Sequence, residues 1–203
     1  LSLAVVFTLT PFIALFFEYF LNKKVTLKAF VAISLGAIGA IWVIFEGNLG
    51  NLIAFRIGYG ELLFFWGCVG HALYAILIPV LNKGENAATQ TLGTLSAGFL
   101  LLILMFTSDV VETNWLSLSP LIWITIIYLA TFATAFTFFL IQFAAKKISA
   151  SKVMAYTYAV PFWVALGEII INSSFPNTNI IFGGFIIAFA LLMLISDNTK
   201  AKI

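Results

Sequence analysis

Charge is what this sequence has least of. Only 9% of its 203 residues are Asp, Glu, Lys or Arg, against about 25% in soluble domains. A surface so poor in ions cannot keep a chain in water. Cysteine occurs once, at Cys68, and histidine once, at His71, which excludes a disulfide framework and a Cys-based metal site. The sequence has neither an H-E-x-x-H motif nor a phosphate-cradling glycine loop. The stretch Gly93–Gly98 reads G-T-L-S-A-G and misses the G-x-S-x-G nucleophile pattern at its first glycine. These absences argue against an enzyme and imply no cofactor, no metal and no nucleic-acid partner.

What fills the sequence is apolar: 63% of residues are hydrophobic and the mean hydropathy is +1.12. Seven runs are each long enough, at about 18 to 25 residues, to cross roughly 30 Å of hydrocarbon. They are Leu3–Leu21, Leu27–Phe45, Gly60–Leu81, Thr89–Thr107, Pro120–Ala144, Val153–Asn172 and Asn179–Ser196, designated spans a to g. A barrel would show short dyad alternation, so the expected fold is all-α and polytopic, with helices that satisfy their own backbone groups in lipid.

The ten basic residues fix an orientation. With the a–b loop inside, Lys23, Lys24, Lys28, Lys83, Lys146, Lys147, Lys152, Lys200 and Lys202 all fall inside and only Arg56 outside. This is the positive-inside pattern of a plasma (inner) membrane protein. Span a opens with no basic n-region and carries no small-residue cleavage motif, so it is expected to be a membrane helix and not a signal peptide. The longest external loop, Glu46–Tyr59, is the place for an interfacial segment.

An internal repeat is upside down. Pro11-Phe12 is followed seven residues after the proline by Glu18, and Pro161-Phe162 likewise by Glu168, an offset of 150. Spans a and f are an odd number of spans apart and cross in opposite directions. Inverted repeats with interrupted helices in matching positions point to a secondary transporter with a midplane site. On a helical wheel, Ala4, Thr8, Pro11, Leu15 and Glu18 share one face of span a, and Met154, Tyr158, Pro161, Ala165 and Glu168 one face of span f. Each proline removes a backbone donor and is a candidate hinge.

These residues resemble the EamA family of the drug/metabolite transporter superfamily. The resemblance is carried by Leu9-Thr10-Pro11 through Thr26 and Gly36-Ala37-Ile38-Gly39. It continues in Gly60-Glu61-Leu62-Leu63, Thr131 to Gln142, Ile148-Ser149-Ala150-Ser151-Lys152, Ala159-Val160-Pro161 and Gly183-Gly184. It implies that residues 1–46 are the last two spans of a first five-span repeat and residues 60–198 a complete second repeat. The whole would be a ten-helix bundle with three spans upstream of Leu1, about 90 residues. It further implies a central cavity lined by spans a, c, e and f, with b and g outside it. The implied substrates are small metabolites such as amino acids, frequently exported.

Candidate substrate-binding or gating residues are Glu18, Glu168, His71, Tyr158, Thr131, Tyr128 and Gln142. A carboxylate in hydrocarbon costs roughly 2.5 to 3.5 kcal/mol at a helix centre, so Glu18 and Glu168 are either functional or seated at an interface. His71 could bind a substrate carboxylate, relay a proton or be a hydrogen-bonded core residue. Tyr128, Thr131 and Gln142 make a stripe along span e, and hydroxyls and amides between membrane helices are also packing glue. Gly36, Gly67, Gly70, Gly93, Gly98 and Gly184 are expected at close helix contacts. The expected partners are a small-molecule substrate, membrane lipid, a proton or counter-substrate, and a second copy in a homodimer. The competing reading is a channel or a receptor-like seven-span protein. Against it, every lysine lies at a helix end or in a loop, and no charge ring or filter sequence is present.

Overall fold

In the computed structural model the described residues are 2–21, 25–56, 58–160, 162–164, 167 and 178–197. They are overwhelmingly helical, and among them six helices are long and apolar enough to cross a membrane: Leu3–Phe20, Leu27–Ile44, Tyr59–Leu81, Ala87–Met105, Pro120–Ala145 and Thr178–Ile195. These correspond to spans a to e and g. Span f falls in part on residues outside the described ones, as do Pro161 and Glu168.

The chain divides into two compact units, one of Leu1–Val80 with Ala145–Ile203 and one of Leu81–Ala144. In the first, span a is not one helix. It is α1 (Ser2–Phe7) and α2 (Thr10–Phe20), joined by a tight turn in which Leu9 N donates to Val6 O at 3.0 Å. Next come α3 (Leu27–Ile44), the short α4 (Leu49–Ile53) and α5 (Tyr59–Leu81). Thr26 caps α3 by accepting from Ala29 N at 3.0 Å, meeting one of the four orphan donors every helix start presents. After the second unit the chain returns with α10 (Ala150–Ala155), which tightens into a 3-10 turn at Tyr156–Ala159, and α11 (Thr178–Ile195).

Helices α3 and α11 lie antiparallel and are pinned at both ends. Thr26 Oγ1, before α3, donates to Asp197 Oδ2, after α11, at 3.0 Å. At the other end Trp42 Nε1 donates to Asn179 O at 3.0 Å, and Asn179 Nδ2 to Glu46 O at 3.0 Å. Between the pins, glycine lets the backbones approach as small residues do in membrane bundles. A Cβ on Gly183 would lie 3.1 Å from Gly39 O, and one on Gly39 would lie 3.0 Å from side-chain carbons of Ile186 and Ile187. The core of this unit, with Ala32, Ile33, Ala40, Ala155, Tyr158 and Ile187, is built on that seam.

The second unit holds α6 (Ala87–Met105), α7 (Thr107–Glu112), α8 (Pro120–Tyr128) and α9 (Thr137–Ala145). Asn86 caps α6, accepting from Thr89 N at 2.8 Å. Between α8 and α9, residues Leu129–Phe136 form a π-helix, whose wider turn shifts the angular phase of everything after it. Gly67, Gly70, Gly93 and Gly98 do not have the expected role at helix contacts: a Cβ at any of them would meet nothing within 4 Å among the described residues. The close-packing glycines are Gly36, Gly39 and Gly183.

Candidate functional site

The break in span a has a chemical cause. Pro11 has no N–H, so the Phe7 carbonyl loses the donor a continuous helix would give it. The Thr10 hydroxyl takes that place, donating to Phe7 O at 2.8 Å. One residue on, the Thr8 carbonyl accepts from the hydroxyl of Tyr158 at 3.1 Å. Tyr158 is 1% exposed and lies in the 3-10 turn of span f, at the position that the 150-residue offset equates with Thr8. The break in span a thus meets the 3-10 turn after α10, and Tyr158 supplies a donor to a carbonyl at that break. Backbone polarity inside hydrocarbon is tolerated only when it is satisfied in this way.

Glu18 is buried, at 3% exposure, and does not reach solvent. Its carboxylate sits at the first turn of α10, accepting from Ser151 N at 3.1 Å and from Ser151 Oγ at 2.5 Å. It acts as an N-cap supplied by another helix, and a negative charge there is favoured by the helix dipole. The next residue, Lys152, is also buried. It pairs with Asp197 Oδ2 at 2.9 Å and donates to the Asp197 backbone carbonyl. Since Thr26 binds the same Asp197 carboxylate, the start of α10 is tied to α2, to the end of α11 and to the start of α3.

His71 lies on α5 with its ring centroid 6.1 Å from that of Phe7, which is 6.3 Å from Phe64. Glu18, Tyr158 and His71 therefore all belong to the first unit. Tyr128, Thr131 and Gln142 belong to the second and differ in burial. Tyr128 and Thr131 are exposed, Tyr128 stacking on Phe132 at 5.6 Å and Thr131 Oγ1 donating to Ile127 O at 2.7 Å. Gln142 is 2% exposed, its Nε2 donating to Thr94 Oγ1 at 3.3 Å. Thr131 lies within the π-helix and Gln142 in the α-helix after it.

Sequence reasoning passed over Ser151, Lys152 and Asp197. By charge and position Lys152 reads as a loop cation, and only its place beside a serine-rich helix start marks it as the first turn of a buried segment. Nothing local in the sequence pairs it with an aspartate 45 residues on.

The sequence model of the EamA-like transporter family matches residues 58–196, well over half of the chain. The chain belongs to the EamA-like transporter family. It is also similar to a protein of Bacillus subtilis (strain 168) named uncharacterized transporter YyaM, at 27% identity over 161 residues, 78% of this chain. The chain spans about half, 52%, of that relative's length. No solved structure matches it. EamA-like membership and six membrane-crossing helices make the chain a multi-pass membrane protein of a transporter family.

Proposed function

We propose that this chain is the greater part of a secondary carrier for small metabolites such as amino acids, working by alternating access in the plasma (inner) membrane and running outward or as an exchanger. The observation that carries the reading is the pair of interrupted helices joined by the Tyr158–Thr8 hydrogen bond. Discontinuous helices in corresponding positions of two inverted repeats are where carriers of this kind place a midplane site. Pro11 and Pro161 are the hinges on this reading. Glu18, Glu168, His71, Tyr158, Tyr128, Thr131 and Gln142 remain the candidates for substrate contact or gating.

The seven-span count has support from distances. Lys152, at the start of span f, touches Asp197, just past the end of α11. Helix α11 has 18 residues, about 27 Å at 1.5 Å each, so the chain between Lys152 and Thr178 has to cover the same distance in the opposite direction. On this reading that stretch makes the seventh crossing. Three further spans upstream would complete a ten-helix bundle.

The deciding experiment uses the full-length protein in proteoliposomes preloaded with candidate amino acids. A carrier shows uptake that saturates and is accelerated by unlabelled substrate on the far side. Flux linear in concentration, with no such counterflow, would assign a channel.

A further inference from the structure

The link between α3 and α5 contains chemistry that the transport reading does not use. Glu46 sits in the left-handed region at φ 54°, where non-glycine residues are uncommon, and such strain persists only where surrounding contacts enforce it. Here they do. Glu46 N donates to Val43 O at 3.0 Å, Gly47 N to Trp42 O at 2.9 Å, and Asn179 Nδ2 holds the Glu46 carbonyl. Glu46 lines an open cavity of about 450 Å³ together with Asn51, Arg56, Phe45 and Phe55, a volume in the range of small-molecule sites, and Glu46 and Arg56 are both exposed. Phe45 and Phe55 meet edge to face at 5.9 Å. Among the described residues neither Glu46 nor Arg56 has an ion-pair partner, although both line one cavity.

On the other side of Phe45 lies a second cavity, of about 380 Å³, lined by Ile38, Ile41, Trp42, Leu49 and Leu52. The short α4 beside it leaves Leu49 and Ile53 largely exposed, at 59% and 84%. An open cavity of mixed lining, with one acid and one base, thus shares Phe45 with an apolar one, at the end of two helices long and apolar enough to cross a membrane. A free solute would need only the first chamber; an amphiphile uses both.

We infer that this corner binds a zwitterionic phospholipid bearing a primary ammonium, with Arg56 on the phosphate, Glu46 on the ammonium and an acyl chain along Ile38, Ile41 and Leu52. The guanidinium fork matches phosphate bidentately, and a carboxylate accepts from an ammonium. The shared chemistry, an ammonium near an anion, also describes a free amino acid, so the test separates the two sources.

The full-length protein is placed in nanodiscs of phosphatidylglycerol, and phosphatidylethanolamine is titrated in while thermal unfolding and lipid retention by native mass spectrometry are followed. The expected result is a preference for the ethanolamine lipid of roughly tenfold, the scale of one charge-assisted bond. That preference is lost in Glu46→Gln, whereas Arg56→Gln weakens retention of both lipids, since both carry the phosphate. Glu46→Gly keeps the corner in a conformation glycine adopts freely, so it should unfold no earlier than the parent while losing the preference. Phosphoethanolamine and alanine, which lack the chain, should not substitute. Equal retention of the two lipids, a preference that survives Glu46→Gln, retention of both lipids unchanged in Arg56→Gln, or full substitution by the soluble zwitterions would each overturn the assignment.

Discussion

Gly36 faces Tyr158 so closely that a Cβ built on it would overlap the ring, 2.8 Å from Cε2. The absence of a side chain at Gly36 is therefore what lets the Tyr158 hydroxyl reach the Thr8 carbonyl. Overpacking of this kind costs about 1 to 3 kcal/mol, so Gly36→Ala should destabilise the protein by that order in a detergent unfolding titration. Tyr158→Ala alone orphans a buried carbonyl and opens a cavity. The double variant should cost clearly less than the sum, because the alanine methyl then has room. Additivity within about 0.5 kcal/mol would show that the two sites do not act on each other.

The same scale holds the prediction for Glu18, whose two oxygens serve Ser151 N and Ser151 Oγ. Glu18→Gln keeps an oxygen for the N–H and an amide that can donate to the hydroxyl, so it should unfold nearly as the parent does. Glu18→Ala leaves buried donors unmet and should cost about 1 to 3 kcal/mol. If Gln proves as harmful as Ala, the negative charge at the start of α10 is what matters, and the hydrogen-bonding account fails. Periodicity marked Glu18 as inward-facing, with Thr8 and Pro11, and all three are buried. It misplaced Ala4, which is exposed while Val6 is buried, because the turn at Thr8–Leu9 resets the wheel for α1.

Between elements, the strongest tie is at the start of α10, where the Lys152 and Asp197 side chains are only 5% and 8% exposed. Breaking a buried pair by removing one partner costs about 3 to 5 kcal/mol, whereas replacing both with apolar groups is often near neutral. Asp197→Leu should accordingly destabilise severely, the more so since Thr26 loses its acceptor too, and Lys152→Met should do the same. The double variant should recover most of the loss in the same unfolding assay. Recovery of less than half would mean that the pair stabilises the bundle in its own right. Apolar run lengths and prolines made the helices and their interruptions legible in the sequence. The tie itself was not, because a lysine and an aspartate at helix ends look like solvated charges until the packing of four helices closes over them. The π-helix of span e was hidden for a related reason: its residues are as apolar and helix-forming as their neighbours, and only the hydrogen-bond register distinguishes it.

For the whole molecule, charge placement and contacts can be tested together, since they bear independently on the same topology. Nine of ten basic residues fall on one side when the seven runs alternate, a pattern that predicts the Lys83 and Lys147 loops in the cytoplasm and the Asn51 and Asn114 loops outside. The contacts add two constraints that charge cannot. Asn179 at the start of α11 touches Glu46, so Asn177 should share the side of Asn51. Asp197 touches Lys152 and Thr26, so the end of α11 should share the side of the a–b loop. Cysteines placed singly at these positions in a Cys68→Ala background report sidedness through an impermeant thiol reagent applied to intact cells. The background change removes a single buried sulfur atom, a small cavity beside those left by Leu→Ala or Phe→Ala. Asn51, Asn114 and Asn177 should label in intact cells, and Lys83 and Lys147 only after the membrane is opened. Labelling of Asn177 only in opened cells, with the other four as expected, would remove the crossing by span f and with it the inverted repeat. A reversal of all five would keep the repeat and turn the molecule over, placing the Glu46 corner in the inner leaflet.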